Sequence, residues 1–186
     1  MFRHAQHDGS HVFGFAQHNG GIKLQKPKYQ LHIRKEALKF SAAHMTVFPD
    51  GNKEPLHGHN YQVSLNVDLS DASFTNMVSF SVFKDVIKPL CDAWDEKILV
   101  QGKSTYLKGA TLGTEYEFSL CGKRYVFPAD EVVVLDIENI STELLAEEFM
   151  KQMLHKLDGR LSKAVLGMEI RIDETNGQGA SYFHRF

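Results

Sequence analysis

At 186 residues, with 42% apolar and 24% charged side chains, the chain has the size and composition of one globular domain with a short appendage. Its 21 basic and 23 acidic residues leave a net charge of −2, which excludes the basic footprint of a general nucleic-acid binder. No apolar run approaches the roughly 20 residues that span a bilayer, and the first residues lack the apolar core of a secretory signal. Two cysteines, Cys91 and Cys121, are too few for a disulfide framework, so the expectation is a reduced, cytoplasmic chain with no membrane partner.

Residues 1–28 carry His4, His7, His11 and His18 with no period of 2 or 3.6, and read as an N-terminal arm. A single domain is expected over residues 29–186. Tyr29, Leu31 and Ile33 share one parity and Leu38, Phe40 and Ala42 the other. A strand starting at Tyr29 therefore needs an irregularity near residues 35–37 before it reaches His44. Pro49-Asp50-Gly51 marks a turn. Tyr61, Val63, Leu65, Val67 and Leu69 then alternate with polar residues, which predicts a half-buried strand paired antiparallel to the first.

Ser79 offers an N-cap to a helix whose apolar stripe is Phe80, Phe83, Ile87, Leu90, Cys91 and Trp94, and Pro89 predicts a kink or break within it. Residues 102–136 read as an insertion in which Tyr116-Glu-Phe118 and Tyr125-Val-Phe127 flank Cys121-Gly-Lys as a hairpin. A second helix is expected over residues 141–157, with Leu145, Phe149 and Met153 on one stripe. Met168, Ile170 and Ile172 lie on one face of a further strand, and a last strand follows Thr-Asn-Gly-Gln-Gly. The order β-β-α-(hairpin)-α-β-β describes an α+β domain: a four-stranded antiparallel sheet with two helices on one face.

His57 and His59, two apart at the start of a strand, project from one face. His44 ends the partner strand, so the hairpin brings three imidazoles to one end of the sheet, with Gly58 leaving room between them. Three neutral imidazoles without a fourth protein ligand suit a catalytic zinc, whose open position admits water or substrate. The competing interpretation is three ordinary strand-end histidines.

Phe40-Ser-Ala-Ala-His44 followed by Leu56-His-Gly-His-Asn-Tyr61 resembles the metal site of the 6-pyruvoyltetrahydropterin synthase and 6-carboxytetrahydropterin synthase family. The similarity continues through Asp92-Ala-Trp-Asp-Glu-Lys-Ile-Leu99 and Ser141-Thr-Glu-Leu-Leu-Ala146 to Ile170-Arg-Ile-Asp-Glu-Thr175. It covers roughly residues 30–186. The resemblance implies a tunnelling fold, in which three subunits join their sheets into a barrel and two trimers stack into a homohexamer, with a small-molecule pterin bound between subunits. It implies that His44, His57 and His59 hold Zn2+ and that Glu174 anchors the pterin. Glu174 shares the parity of Ile170 and Ile172, and its carboxylate could accept two parallel N–H bonds; a solvated strand-end acid is the alternative. Ser141, Thr142 and Glu143 match a second pterin-side motif, with helix capping as an adequate alternative.

Two departures matter. The common members carry a cysteine base in the loop before His-Gly-His, whereas this loop carries Lys53 and Glu54, as in a glutamate subgroup of the family. Glu54 is then the expected base, against the alternative of an exposed loop acid. The common members also follow the first helix with Asp-His, and here the pair is Asp95-Glu96. These two form a carboxylate relay, or Glu96 pairs with Lys97 or Arg124 and takes no chemical part. A third, lesser departure is Ser79 in place of an aspartate. The implied activity is zinc-dependent lyase chemistry on the side chain of 7,8-dihydroneopterin triphosphate, by elimination or by cleavage to 6-hydroxymethyl-7,8-dihydropterin. The alternatives are a 6-carboxytetrahydropterin synthase of deazaguanine biosynthesis and a non-catalytic zinc and pterin binder.

Overall fold

The computed structural model describes residues 26–186; the expected arm lies almost wholly outside the described residues. The first hairpin is β1 (Tyr29–His44) against β2 (His57–Leu69), antiparallel throughout. Its register shifts between Arg34 and Lys39, where the parity of the apolar residues reverses. The shift lets Ile33 and Phe40, of opposite parity, both face the core. β8 (Val165–Thr175) pairs with β2, and β9 (Gln178–Arg185) pairs with β8, both antiparallel.

The sheet is wider than four strands. β3 (Lys97–Gln101) joins β1 in parallel through Ala42 and Ala43, and β7 (Val132–Leu135) joins β3 in parallel, giving the six-strand order β7-β3-β1-β2-β8-β9. These two short strands escaped sequence reading because each is a brief run with no alternation, which pairing rather than pattern makes extended. Residues 102–136 also hold more than a hairpin. β4 (Leu107–Leu112), β5 (Glu115–Leu120) and β6 (Lys123–Pro128) form a separate three-stranded antiparallel meander.

Helices α1 (Phe80–Trp94) and α2 (Thr142–Leu157) cover one face of the large sheet. Ser79 caps α1 by accepting from the Ser81 N–H, and Ser141 caps α2 by accepting from Leu144 N–H at 3.4 Å. The expected break at Pro89 is absent: α1 runs through it. One apolar cluster joins Phe40, Tyr61, Leu65 and Ile170 from the sheet to Ile87, Trp94, Phe149 and Met153 from the helices. Phe40 stacks on Tyr61 at 4.8 Å and meets the edge of Trp94 at 5.4 Å, and Trp94 meets Phe149 at 5.3 Å. Such aromatic contacts fix relative orientation as well as burying area, so the end of the hairpin that carries the histidines rests on a rigid floor. No helix among the described residues is long and apolar enough to cross a membrane.

Candidate metal centre

Strand pairing places His44 directly opposite His57, and His59 opposite Ala42, one diagonal step away. All three rings face the helix side of the sheet at its end, with centroids 4.6 Å (His44–His57), 5.3 Å (His44–His59) and 4.8 Å (His57–His59) apart. Gly58 lies between the two β2 histidines on the opposite face. A Cβ there would come within 3.0 Å of the Ala42 carbonyl oxygen, and Gly58 instead leaves that face open to a cleft.

The register that sets Gln62 opposite Asp173 carries Glu174 to the same end of the sheet. His44, His57, His59 and Glu174 each bring one ligand atom to within 4.8 Å of the others. Glu174 Oε1 lies 2.6 Å from His59 Nε2 and 3.8 Å from His44 Nε2. Yet the Nε2 atoms of both His44 and His59 are buried without a hydrogen-bond partner. Lone pairs that are buried, convergent and unpaired are the signature of a donor set arranged for a cation.

At His57 and His44 the other ring nitrogen is occupied in the manner that leaves Nε2 free. His57 Nδ1 donates to the Pro55 carbonyl at 2.9 Å. His44 Nδ1 donates to Thr46 Oγ1 at 3.4 Å, and that hydroxyl donates in turn to the Ile140 carbonyl at 2.9 Å. Such contacts set the tautomer and the ring orientation of metal-binding histidines. Burial first, then the neighbouring His57 and His59, push the His44 pKa down to about 4, so at neutral pH its lone pair is available.

Glu54 stands beside His57, its Oε2 3.8 Å from His57 Nε2 and its side chain about one-third exposed. The turn at Gly51, where φ is +83°, returns the loop so that Val47 pairs with Lys53 and Glu54 N–H donates to Thr46 O at 2.9 Å. No cysteine enters the site: Cys91 is buried in the main core, and Cys121 sits in the turn between β5 and β6.

A cleft of about 700 Å3 reaches His59 and Glu174, and is lined further by Ser41, Gly58, Glu96 and Glu131 among others. The two carboxylates after α1 have different surroundings. Asp95 Oδ1 accepts the Ser41 N–H at 2.7 Å, and Glu96 N–H donates to the Ser41 carbonyl at 2.7 Å. This reciprocal pair pins the corner to β1, with Glu96 in the left-handed region at φ +55° and its residue on the cleft wall. Among the described residues Glu96 has no ion pair: Arg124 is held by Glu117, and Lys97 donates to the Asp130 carbonyl. Ser141, Thr142 and Glu143 open α2 and do not line this cleft. Sequence reading missed the adjacency of Glu174 to the histidines, although its parity already put it on their face. It also missed Thr46 and Pro55, which carry no pattern of their own.

The 6-pyruvoyl tetrahydropterin synthase family profile matches residues 32–185. The chain belongs to this family. A Methanocaldococcus jannaschii protein, provisionally assigned as a 6-carboxy-5,6,7,8-tetrahydropterin synthase, is 30% identical over 150 residues, covering 78% of this chain and 89% of the relative. The crystal structure of Plasmodium vivax 6-pyruvoyl tetrahydropterin synthase superposes with a TM-score of 0.78 at 25% identity, over 85% of this chain and 98% of that one. The Plasmodium falciparum enzyme gives the same values. Two variants of the P. vivax protein, 24% identical to this chain, have a catalytic glutamate replaced by alanine or by cysteine. The fold is thus the tunnelling fold of a pterin synthase family, an enzyme family.

Proposed function

We propose that this family member is a zinc-dependent lyase acting on the side chain of 7,8-dihydroneopterin triphosphate, with Glu54 as its base. The observation that carries the reading is the carboxylate of Glu54 beside His57, in a loop without cysteine, next to three convergent imidazoles. His44, His57 and His59 are the residues that would hold the ion. Zinc there supplies Lewis acidity toward the side-chain hydroxyls, lowering their pKa.

The chain's own groups do the rest. Glu54 takes a proton from the substrate side chain, either from carbon in the elimination that expels triphosphate or from a hydroxyl when the side chain is cleaved. In the cleavage the bond between the first and second side-chain carbons breaks, and the second carbon leaves as a two-carbon aldehyde still bearing the triphosphate. The same carboxyl returns the proton to the carbon left on the pterin, giving the 6-hydroxymethyl product. Glu96, on the cleft wall, exchanges the second hydroxyl proton, and Asp95 fixes the corner that presents it. Glu174 accepts the amino and ring N–H groups of the pterin. Glu143, with Ser141 and Thr142, contacts the pterin, which is bound between subunits of a homohexamer of two stacked trimers. The M. jannaschii relative favours a second reading, 6-carboxytetrahydropterin synthesis at the same centre.

The test is zinc-loaded protein incubated with 7,8-dihydroneopterin triphosphate, with products separated by mass, beside Glu54→Gln. Loss of about 10²- to 10⁴-fold in kcat with zinc content unchanged is the expected result for a base. A 6-carboxy product selects the second reading, and a fully active Glu54→Gln removes Glu54 from the mechanism.

A further inference from the structure

The meander β4–β6 packs its own small core beside the loop that bears Glu54, and one side chain links the two. Lys53 Nζ lies 5.1 Å from the centroid of the Tyr125 ring, donates to the Glu54 carbonyl at 2.9 Å, and contacts Met45 Sδ at 3.3 Å. Met45 is 1% exposed, and its carbonyl accepts from the buried Gln101 side chain at 3.0 Å. Tyr125 in turn stacks on the buried Phe118 at 5.4 Å.

We propose that Lys53 and Tyr125 form a latch that positions Glu54, so that the meander sets the geometry of the catalytic base. This rests on the reading of Glu54 as the base. Glu54 lies on a loop whose two legs are joined near it by the Val47–Lys53 bridge and the Glu54 N–H to Thr46 O bond. Without further restraint a partly exposed loop carboxylate samples many orientations, and misplacement of a reacting group by about 1 Å costs on the order of 10²-fold in rate. The Lys53 ammonium, seated on the negative face of a stacked, half-buried ring, holds the Glu54 peptide from the carbonyl side while Thr46 holds it from the N–H side. Glu54 is thereby fixed at both ends of its own residue. Neither Lys53 nor Tyr125 lines the cleft or belongs to the cluster of candidate ligands, so they act through Glu54 and are positioning residues.

The experiment compares Lys53→Met, Tyr125→Leu, Lys53→Arg and Tyr125→Phe with the wild type and Glu54→Gln, in full-length zinc-loaded protein with 7,8-dihydroneopterin triphosphate. Amide exchange of residues 46–54 and zinc content are measured on the same samples. We expect Lys53→Met and Tyr125→Leu to lose about 10-fold or more in kcat, with KM within about twofold and zinc content unchanged, and to exchange faster over residues 46–54. Tyr125→Phe keeps the ring face and Lys53→Arg keeps the cation, so both restore most of the rate. Unchanged kcat in Lys53→Met and Tyr125→Leu overturns the latch, as does unchanged exchange. A wild type without pterin turnover brings down the functional reading instead, and the exchange data then decide by themselves whether the latch holds the loop.

Discussion

The two ends of the site, the histidine end of the β1–β2 hairpin and the corner after α1, both carry charged or metal-binding side chains but are built on different rules. At the hairpin, antiparallel register alone sets His44 against His57 and brings His59 and Glu174 to the same face. At the corner, backbone conformation gives two adjacent carboxylates different surroundings: Asp95 bonds the Ser41 N–H, while the left-handed Glu96 lines the cleft. Position in a strand sets the arrangement at the first. Strain and a tertiary hydrogen bond determine it at the second.

The sharpest way to break this comparison is to exchange the corner's two roles. Glu96→Gly relieves a left-handed conformation that costs a non-glycine residue about 1 kcal/mol, so its stability should hold or rise by up to that amount while turnover falls about 10²-fold. Asp95→Ala should do the reverse, losing about 1 kcal/mol of unfolding free energy as the Ser41 N–H goes unpaired. Chemical denaturation and steady-state rates on both variants separate the two. Equal loss of stability would mean that the corner does not divide its labour.

Glu174 tests the hairpin end. As a pterin anchor it should tolerate Glu174→Gln with zinc retained and KM raised about 10- to 50-fold, the worth of one charge-assisted hydrogen bond. Loss of zinc on that substitution would make Glu174 a fourth ligand, closing the open position that substrate needs.

The smallest effect concerns Cys91, whose thiol is pushed up to about 12 by burial. At pH 8 iodoacetamide should label Cys121 and spare Cys91 in the folded protein. The sign of the linkage follows from the raised value. Below the unfolded pKa near 9.0 the thiol is protonated in both states and costs nothing. Between pH 9 and 10 only the unfolded thiol ionises, so stability falls by up to about 1.4 kcal/mol per pH unit. Cys91→Ala should lack that slope, and labelling of Cys91 at pH 8 would place it outside the core.

Much of the hairpin end was legible in the sequence because strand parity is a local property. The alternation from Tyr61 to Leu69 placed His57 and His59 on one face, and the parity reversal before Phe40 located the register shift. The short strands β3 and β7 were not legible, since parallel pairing at the end of β1 leaves no pattern in five or four residues. The meander's third strand is hidden for a related reason: β4 carries no alternation of its own, and the hairpin of β5 and β6 accounts for the residues that do alternate. At the corner the residue types were visible, but not the φ of +55° at Glu96 or the Ser41 contact that separates it from Asp95. Those depend on where a helix ends against a distant strand.

The measurement that bears most directly on the account is a zinc titration of metal-free protein with 7,8-dihydroneopterin triphosphate, reading pterin products by mass at each step. Turnover should be absent without metal, rise in proportion to added zinc and stop rising at one zinc per chain. Wild-type rates in chelated protein, or no product at any zinc level, would contradict it.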